Sequence, residues 1–464
     1  MGGLSAAIHA RLKGWDVLVI EQSAQCGGKA AGIEIEGFHL DPGPSIIILP
    51  DIYREVFKAA GRNPDDYVRF IPLDILSRVY FAGHEPLNLP SNYDACLRLL
   101  KEIAPDDVAP FRQLIEKLDR SVGSLEKAVF ERPILKASDF ARPGLMKFGM
   151  QFNPFRNYRT LVDSWFSSPL LRAFFYGFPS YSGLSYNDPA PGAFLIPYYM
   201  LRDGVYFPEG GVRAIPRAFE RLARELGVEF RMETRFKRFV GERGIELESG
   251  EVLQADHIIC NVDKLTANGE TSLEPSLSYF TLHYGLQHEL PGLEHHTLLV
   301  PGKFADGFER LYANEFPDPP IVYLNATQAL DPEAAPSGQT NLFAVVTVPS
   351  RGPTLDWPRE REAYRSKVRG VMAQFDFEWR SDVEVFERVQ DPDYFEAAHG
   401  NYRGSLYGPI PKQRAFGMFP LGNWDHAHPN RAYCGGSVQP GAGLPMVTLS
   451  GKFAVDALAK QRSA

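Results

Sequence analysis

The sequence predicts an α/β fold in which a dinucleotide-binding unit is assembled from separated stretches of chain. Three observations predict it. Residues 4–21 read as a helix, a strand and a terminal acid; residues 435–457 read as a glycine-dense loop opening onto a helix; residues 276–348 hold alternating strand patterns. With 464 residues, 44% of them hydrophobic and 23% charged, the chain has the composition of a globular protein with a large core. Lys plus Arg is 49 and Asp plus Glu is 57, and the resulting net charge of −8 argues against wholesale nucleic-acid binding. No apolar run reaches the roughly 18 residues of a spanning helix. Cys26, Cys96, Cys260 and Cys434 stand far apart, which speaks for a reducing compartment rather than a disulfide framework or zinc site.

In the first stretch Leu4, Ala7, Ile8 and Leu12 fall at helical spacing, Gly14 ends the helix, and residues 16–21 form a short apolar strand closing on Glu21. This is the second half of a dinucleotide-binding βαβ unit. Glycines let the backbone approach a pyrophosphate, the helix N-terminus carries partial positive charge, and the acid accepts hydrogen bonds from ribose hydroxyls. The strand and two further glycines that open a complete unit are missing before Met1, so the expectation is that the true start lies upstream. Gly27, Gly28 and Lys29 follow, then Gly43 in an Asp-Pro-Gly-Pro-Ser turn. At the other end Gly435, Gly436, Gly441 and Gly443 lead into a helix with Leu449, Phe453 and Ala457 on one face. Such a terminus suits a ring system that takes on negative charge.

Residues 94–130 carry a helical pattern through Leu97, Leu100, Ile103, Phe111, Leu114, Ile115 and Leu118, which core packing explains. Between 148 and 207 aromatic residues crowd, with Lys147, Arg156, Arg159 and Arg172 nearby and no acid from Gln151 to Leu161. Three readings are open there: an aromatic core, the lining for a long apolar ligand, or a face that meets anionic headgroups. Residues 278–285 and 340–348 alternate as strands, and 317–320 and 331–338 read as loops. His295, His296, His426 and His428 lack a carboxylate or Cys at ligand spacing, so no metal is expected. No Gly-x-Ser-x-Gly elbow supports a serine hydrolase.

Together the pieces resemble the carotenoid desaturase family of flavoproteins, which includes bacterial phytoene desaturases. G-G-L-S-A-A-I, V-L-V-I-E, G-G-K and D-P-G-P-S are similar to its nucleotide-binding block; Tyr206 to Arg213 and Leu226 to Asp263 to its second flavin segment; and G-G-S-V-Q-P-G-A-G-L-P to its closing flavin loop, with Gln439 where His is frequent. The resemblance implies a Rossmann-type, amine-oxidase-like FAD-binding domain (residues 1–90, 205–270 and 425–464) with an inserted α+β domain (91–204 and 271–424) for substrate and membrane. It places Glu21 at the adenosine ribose, Gly2, Gly3, Gly28 and Lys29 along the phosphates and nearby sugar, Phe236 at adenine, and Gly435 and Val447 by the isoalloxazine. It implies FAD-dependent desaturation of a phytoene-like polyene by hydride transfer and proton loss, in a cytoplasmic protein peripherally attached to membrane, with quinone or oxygen as electron acceptor. Isomerisation or oxygenation of a carotenoid is the alternative, or flavin-free carotenoid binding if the opening strand is truly absent. No residue stands out as the base; Asp41, His257 and Arg213 are candidates by placement only, and the catalytic residue stays unassigned.

Overall fold

The computed structural model describes residues 1–134, 137–351, 355–410 and 421–460. Its first helix, Gly2–Leu12, buries Leu4, Ala7 and Ile8, whereas Leu12, the last residue of the expected stripe, is exposed. Gly14 turns the chain at φ +79°, a conformation that favours glycine. The strand that follows, Leu18–Ile20, is shorter than its apolar run and pairs in parallel with Glu229–Arg231, Val19 opposite Phe230. A second parallel ladder joins Ile258–Cys260 to Arg431–Tyr433, Ile259 opposite Ala432. Among the described residues the two ladders form separate sheets, and Leu18–Ile20 and Ile258–Cys260 line one cavity.

Helix Leu444–Ala459 packs against Gly2–Leu12, and the contact is backbone on backbone. A Cβ on Gly451 would run into the carbonyl oxygen of Gly2 and lie 2.7 Å from the amide nitrogen of Ala6. Ser5 Oγ donates to the Thr448 carbonyl at 2.7 Å across the same seam. Ala6, Ala10 and Ala454, small residues that permit the approach, fill it together with Val455 and Leu458.

The two alternating segments form the long central strands of a seven-stranded sheet. Leu277–Leu286 and Thr340–Pro349 pair antiparallel from Leu277–Pro349 to Leu286–Thr340. Glu384–Gln390 flanks the first; Val322–Ala326, His296–Val300, Ile75–Phe81 and Leu87–Pro90 continue beyond the second, with one parallel pairing between His296–Val300 and Ile75–Phe81. Residues 75–90, expected in the first FAD segment, therefore hydrogen-bond into the sheet built by the 271–424 segment. Side chains alternate between faces. Phe280, Leu282, Leu342, Ala344 and Val348 pack beneath Trp357, Tyr364 and Met372, while Tyr279, Thr281, Phe343, Val345 and Thr347 face the cavity.

The helical stretch forms as Tyr93–Ile103 and Val108–Phe130, broken where Pro105 withdraws an amide donor. The aromatic stretch divides by residue. Phe152, Tyr158, Phe166, Phe175 and Phe194 are buried in one core, Phe174, Phe178 and Tyr181 line the cavity, and Phe155 is 77% exposed. The expected loops at 317–320 and 331–338 contain no helix beyond a short turn at Pro332–Ala334 and no strand.

Two glycine substitutions should have opposite signs. Gly451→Ala overpacks the helix seam and is expected to destabilise the protein by about 1–3 kcal/mol. Gly123→Ala, within a helix and with open space where the Cβ would go, should stabilise it by about 0.5–1 kcal/mol. Urea unfolding midpoints check both.

Candidate functional site

A cavity of about 1940 Å³ runs between the two ladders, the sheet face and the helical layer. Gly3, Glu21, Gly28, Lys29, Phe236, Gly435 and Val447 all line it, so three distant stretches of sequence meet on one wall. Gly2 is not part of that wall. A Cβ there would meet Asn261 Oδ1 at 2.6 Å and the Gly435 nitrogen at 3.0 Å, so Gly2 serves the packing behind the wall.

Glu21 ends its strand with Oε1 accepting from the Ser23 amide at 2.9 Å. Gly28 sits at φ +57° with open space in place of a side chain. Lys29 donates from Nζ to Asn401 Oδ1 at 3.0 Å. Burial lowers its pKa to about 8, against the opposing pull of Asp263. Phe236 lies against Phe239, with ring centroids 5.0 Å apart. Gly435 is at φ +119°, and its amide donates to Ser450 Oγ at 2.8 Å. Helices Gly2–Leu12 and Leu444–Ala459 both start at the cavity wall without a side-chain cap or an acidic residue in the first turn. Their partial positive charge suits an anionic ligand; the Gly3 amide itself is taken by Asn261 Oδ1.

Asn261 is a site residue that the sequence reading quoted without a role. Its Oδ1 accepts from the Gly3 amide at 2.7 Å and from Cys434 Sγ at 3.2 Å, pinning two strand ends and the first helix together. A polar residue closing an apolar strand was the available signal. Asp263, two residues on, is half-buried and accepts from the Leu265 amide at 3.0 Å; desolvation raises its pKa.

The three candidate bases separate. Asp41 is buried away from the cavity, with its carboxylate accepting from the amides of Val212 at 2.8 Å and Arg213 at 3.2 Å. It braces the turn containing Gly211, at φ +84°. Arg213 is also off the wall, joined to His39 and to the Gly210 carbonyl. His257 lines the nucleotide side and stacks on Trp15 at 4.9 Å between centroids. Neither Asp41 nor Arg213 can reach a ligand in the cavity as arranged. Among the described residues no three His, Cys, Asp or Glu gather where a metal would bind.

Away from the glycines the cavity turns apolar. Val79, Phe81, Leu298, Val300 and Val345 line it from the sheet and Phe174, Phe178, Leu195 and Ile196 from the helices, and it extends to the exposed Met146 and Phe155.

Comparison with known proteins agrees with this geometry. The model of the family described as flavin containing amine oxidoreductase matches residues 1–459. A zeta-carotene-forming phytoene desaturase from Myxococcus xanthus is 31% identical over 99% of this chain and 92% of its own. A 4,4'-diaponeurosporene oxygenase and a 4,4'-diapophytoene desaturase, both from Staphylococcus haemolyticus, are 27% and 25% identical; each alignment covers 98% of this chain, and 95% and 96% of those proteins respectively. An oxidoreductase from Methanosarcina mazei superposes with a TM-score of 0.66 at 15% identity, covering 98% of each chain, which shows the shared fold.

Lys29 gives the site a pH dependence. Below about pH 8 it is an ammonium able to face a pyrophosphate; above, it is neutral in the free protein and must be reprotonated for that contact. Affinity of the cofactor-free protein for FAD is expected to fall by up to about tenfold per pH unit above pH 8. Lys29→Gln should bind more weakly at pH 7 and lose the dependence. Titration calorimetry from pH 6.5 to 9.5 measures both.

Proposed function

The chain belongs to the flavin containing amine oxidoreductase family, among its carotenoid desaturases, and is an FAD-dependent oxidoreductase; from that premise we propose that it desaturates a long, phytoene-like isoprenoid polyene. The observation that carries the reading is one cavity continuous from a glycine-lined nucleotide wall to an apolar channel. The residues present fit FAD: two helix N-termini at the cavity with no acidic residue in the first turn, the open positions at Gly28 and Gly443, and Glu21 and Lys29 lining the same cavity. In this reading Glu21 holds the adenosine ribose, and Gly3, Gly28 and Lys29 meet the phosphates and nearby sugar. Phe236 contacts adenine, Gly435 and Val447 lie by the isoalloxazine, and Gly2 supports them from behind. The nucleotide-binding domain comprises 1 to about 72, 205–270 and 425–464, with residues 75–90 assigned to the substrate domain because their strands belong to its sheet. Residues 411–420 of the substrate domain and 461–464 of the nucleotide-binding domain lie outside the described residues.

Bound flavin supplies a hydride acceptor. The protein's part is positioning: the sheet face and the opposing aromatics hold an extended chain and keep water away. The electron acceptor in this reading is a quinone or oxygen.

The channel mouth supports entry from a membrane surface. No helix among the described residues is long and apolar enough to cross a membrane. Met150 and Phe155 are 78% and 77% exposed beside Lys147 and Arg156, and Met146 and Phe155 also line the cavity. Apolar side chains dipping into the acyl boundary with cations at the headgroups would dock the mouth on lipid.

Anaerobic mixing of FAD-loaded protein with phytoene or its C30 counterpart in vesicles should bleach the flavin and give a product short of hydrogen. Unchanged product mass with a rearranged chain would indicate isomerisation, and oxygen added when the mixing is repeated in air an oxygenase; flavin that stays oxidised with both substrates would sink the desaturase reading. The double variant Met150→Glu, Phe155→Glu should bind anionic vesicles at least about tenfold more weakly in a flotation assay, since each apolar side chain withdrawn from lipid costs over 1 kcal/mol.

A further inference from the structure

Beside the channel mouth the helical layer holds a second, smaller cavity, of about 250 Å³. One turn separates the two. Pro154 and Phe155 line the channel, whereas Asn153 and Arg156 line the small cavity, joined there by Lys117 and Trp165 from two helices. The turn is fixed by its own chain: Asn153 sits at φ +44°, its Oδ1 accepts from the Phe155 amide at 3.2 Å, and its carbonyl accepts from the Arg156 amide at 3.1 Å. The strongly exposed Met150 and Phe155 flank it.

Charge sets this cavity apart. Arginines elsewhere on the helical layer are matched: Arg142 to Asp139 at 3.0 Å, Arg159 to Glu309 at 3.5 Å and Arg172 to Asp163 at 3.4 Å. Among the described residues Lys117 and Arg156 form neither an ion pair nor a side-chain hydrogen bond, and no acid lines the cavity. Lys117 Nζ lies instead over the rings of Phe152 and Trp165, 4.9 and 5.4 Å from their centroids. Desolvation, with Arg120 as a like-charged neighbour, lowers its pKa, and no carboxylate opposes that shift. Two cations in one cavity repel each other, and an anion placed between them turns the repulsion into attraction. The anion must be small, because the volume is below the roughly 300–1,000 Å³ of sites that enclose drug-sized ligands.

We propose that this cavity binds the phosphate of an anionic phospholipid between Lys117 and Arg156, seating the channel mouth on one held lipid rather than on diffuse surface charge. The inference rests on the membrane entry read above and deepens it by naming the lipid group recognised. Phosphate oxygens accept charge-assisted hydrogen bonds from both cations. The acyl chains of the same lipid then run along Met150 and Phe155, and Phe155 belongs to the channel wall as well. That adjacency favours a lipid over a free phosphate, which gains nothing from exposed apolar side chains. Trp165 and Phe152 suit the same boundary, where amphipathic aromatics collect between water and acyl chains. A lipid held at the turn sets how deep the mouth sits in the layer from which a polyene enters.

The test uses FAD-loaded protein, whose filled nucleotide site cannot take up phosphate. Calorimetry compares inorganic phosphate with dihexanoyl phosphatidic acid below its micellar concentration. Flotation compares uncharged galactolipid vesicles carrying either phosphatidylglycerol or cholesteryl hemisuccinate at matched surface potential. The wild type is expected to bind the short-chain lipid at least about tenfold more tightly than inorganic phosphate, and to favour the phosphatidylglycerol vesicles by about tenfold. Lys117→Gln and Arg156→Gln should each weaken the short-chain lipid by about tenfold and shrink the vesicle preference to within about twofold, with thermal midpoint and flavin content confirming that the variants are folded. Arg120→Gln removes an equal charge from the same helix outside the cavity, and should weaken both vesicles alike with the preference intact. Equal binding of the wild type to both vesicles would overturn the site, as would a preference that survives both cavity substitutions or one that Arg120→Gln abolishes. Inorganic phosphate binding as tightly as the short-chain lipid would overturn the lipid as occupant. If the protein floats with neither vesicle while the short-chain lipid still binds through Lys117 and Arg156, the membrane-entry reading falls and the phospholipid site stands.

Discussion

The close approach of helices Gly2–Leu12 and Leu444–Ala459 is the constraint on which the nucleotide wall depends. Gly451 allows it, since any side chain there would push the first helix outward by way of the Gly2 carbonyl. Both helices then start on the same wall, and their N-termini turn partial positive charge toward one volume. Asn261 completes the joint by accepting from Gly3 and Cys434 at once. A glycine inside a helix sacrifices about 1 kcal/mol of propensity relative to alanine. Here that loss is offset by a seam in which residues more than 440 positions apart touch through backbone and small side chains.

The seven-stranded sheet contributes the other half of the site by simple alternation. One face must satisfy a packed core under Trp357 and Tyr364, and so is mainly apolar, with Ser278 and Thr340 buried at its ends. The other face is free to vary, because it borders a cavity rather than a core. It carries valines and leucines along most of its length and a hydroxyl and imidazole cluster near Ser45. Apolar walls supply reach and exclusion of water but little discrimination, since neighbouring methylenes are nearly equivalent to them.

Much of this organisation was legible in the sequence. The 3.6-residue stripe at Leu4, Ala7 and Ile8, the acid-ended strand at Glu21 and the glycine-dense loop at Gly435 are local signals, and local backbone chemistry suffices to read them. Strict alternation likewise identified Leu277–Leu286 and Thr340–Pro349 before their pairing was known, because a strand buried on one face repeats every second residue. Seven of the eight expected cofactor residues line the cavity, where the family resemblance rather than any local spacing places a residue such as Phe236. The aromatic crowd between 148 and 207 was a different matter. Phe152 and Phe155 are three residues apart, yet one is buried and the other almost fully exposed, a distinction that no local pattern carries.

What the sequence determined by itself was therefore the set of elements, the nucleotide chemistry and the family. Tertiary structure alone decided which side chains share a wall. It withdrew Gly2, Asp41 and Arg213 from the cavity, moved residues 75–90 into the seven-stranded sheet and gave Asn261 its joint. The physical reason is that hydrogen bonds between Ser45, His296 and Tyr323 are short in space and up to 278 positions apart along the chain. Periodicity reports which face of an element is buried; only the docking of elements fixes what that face meets.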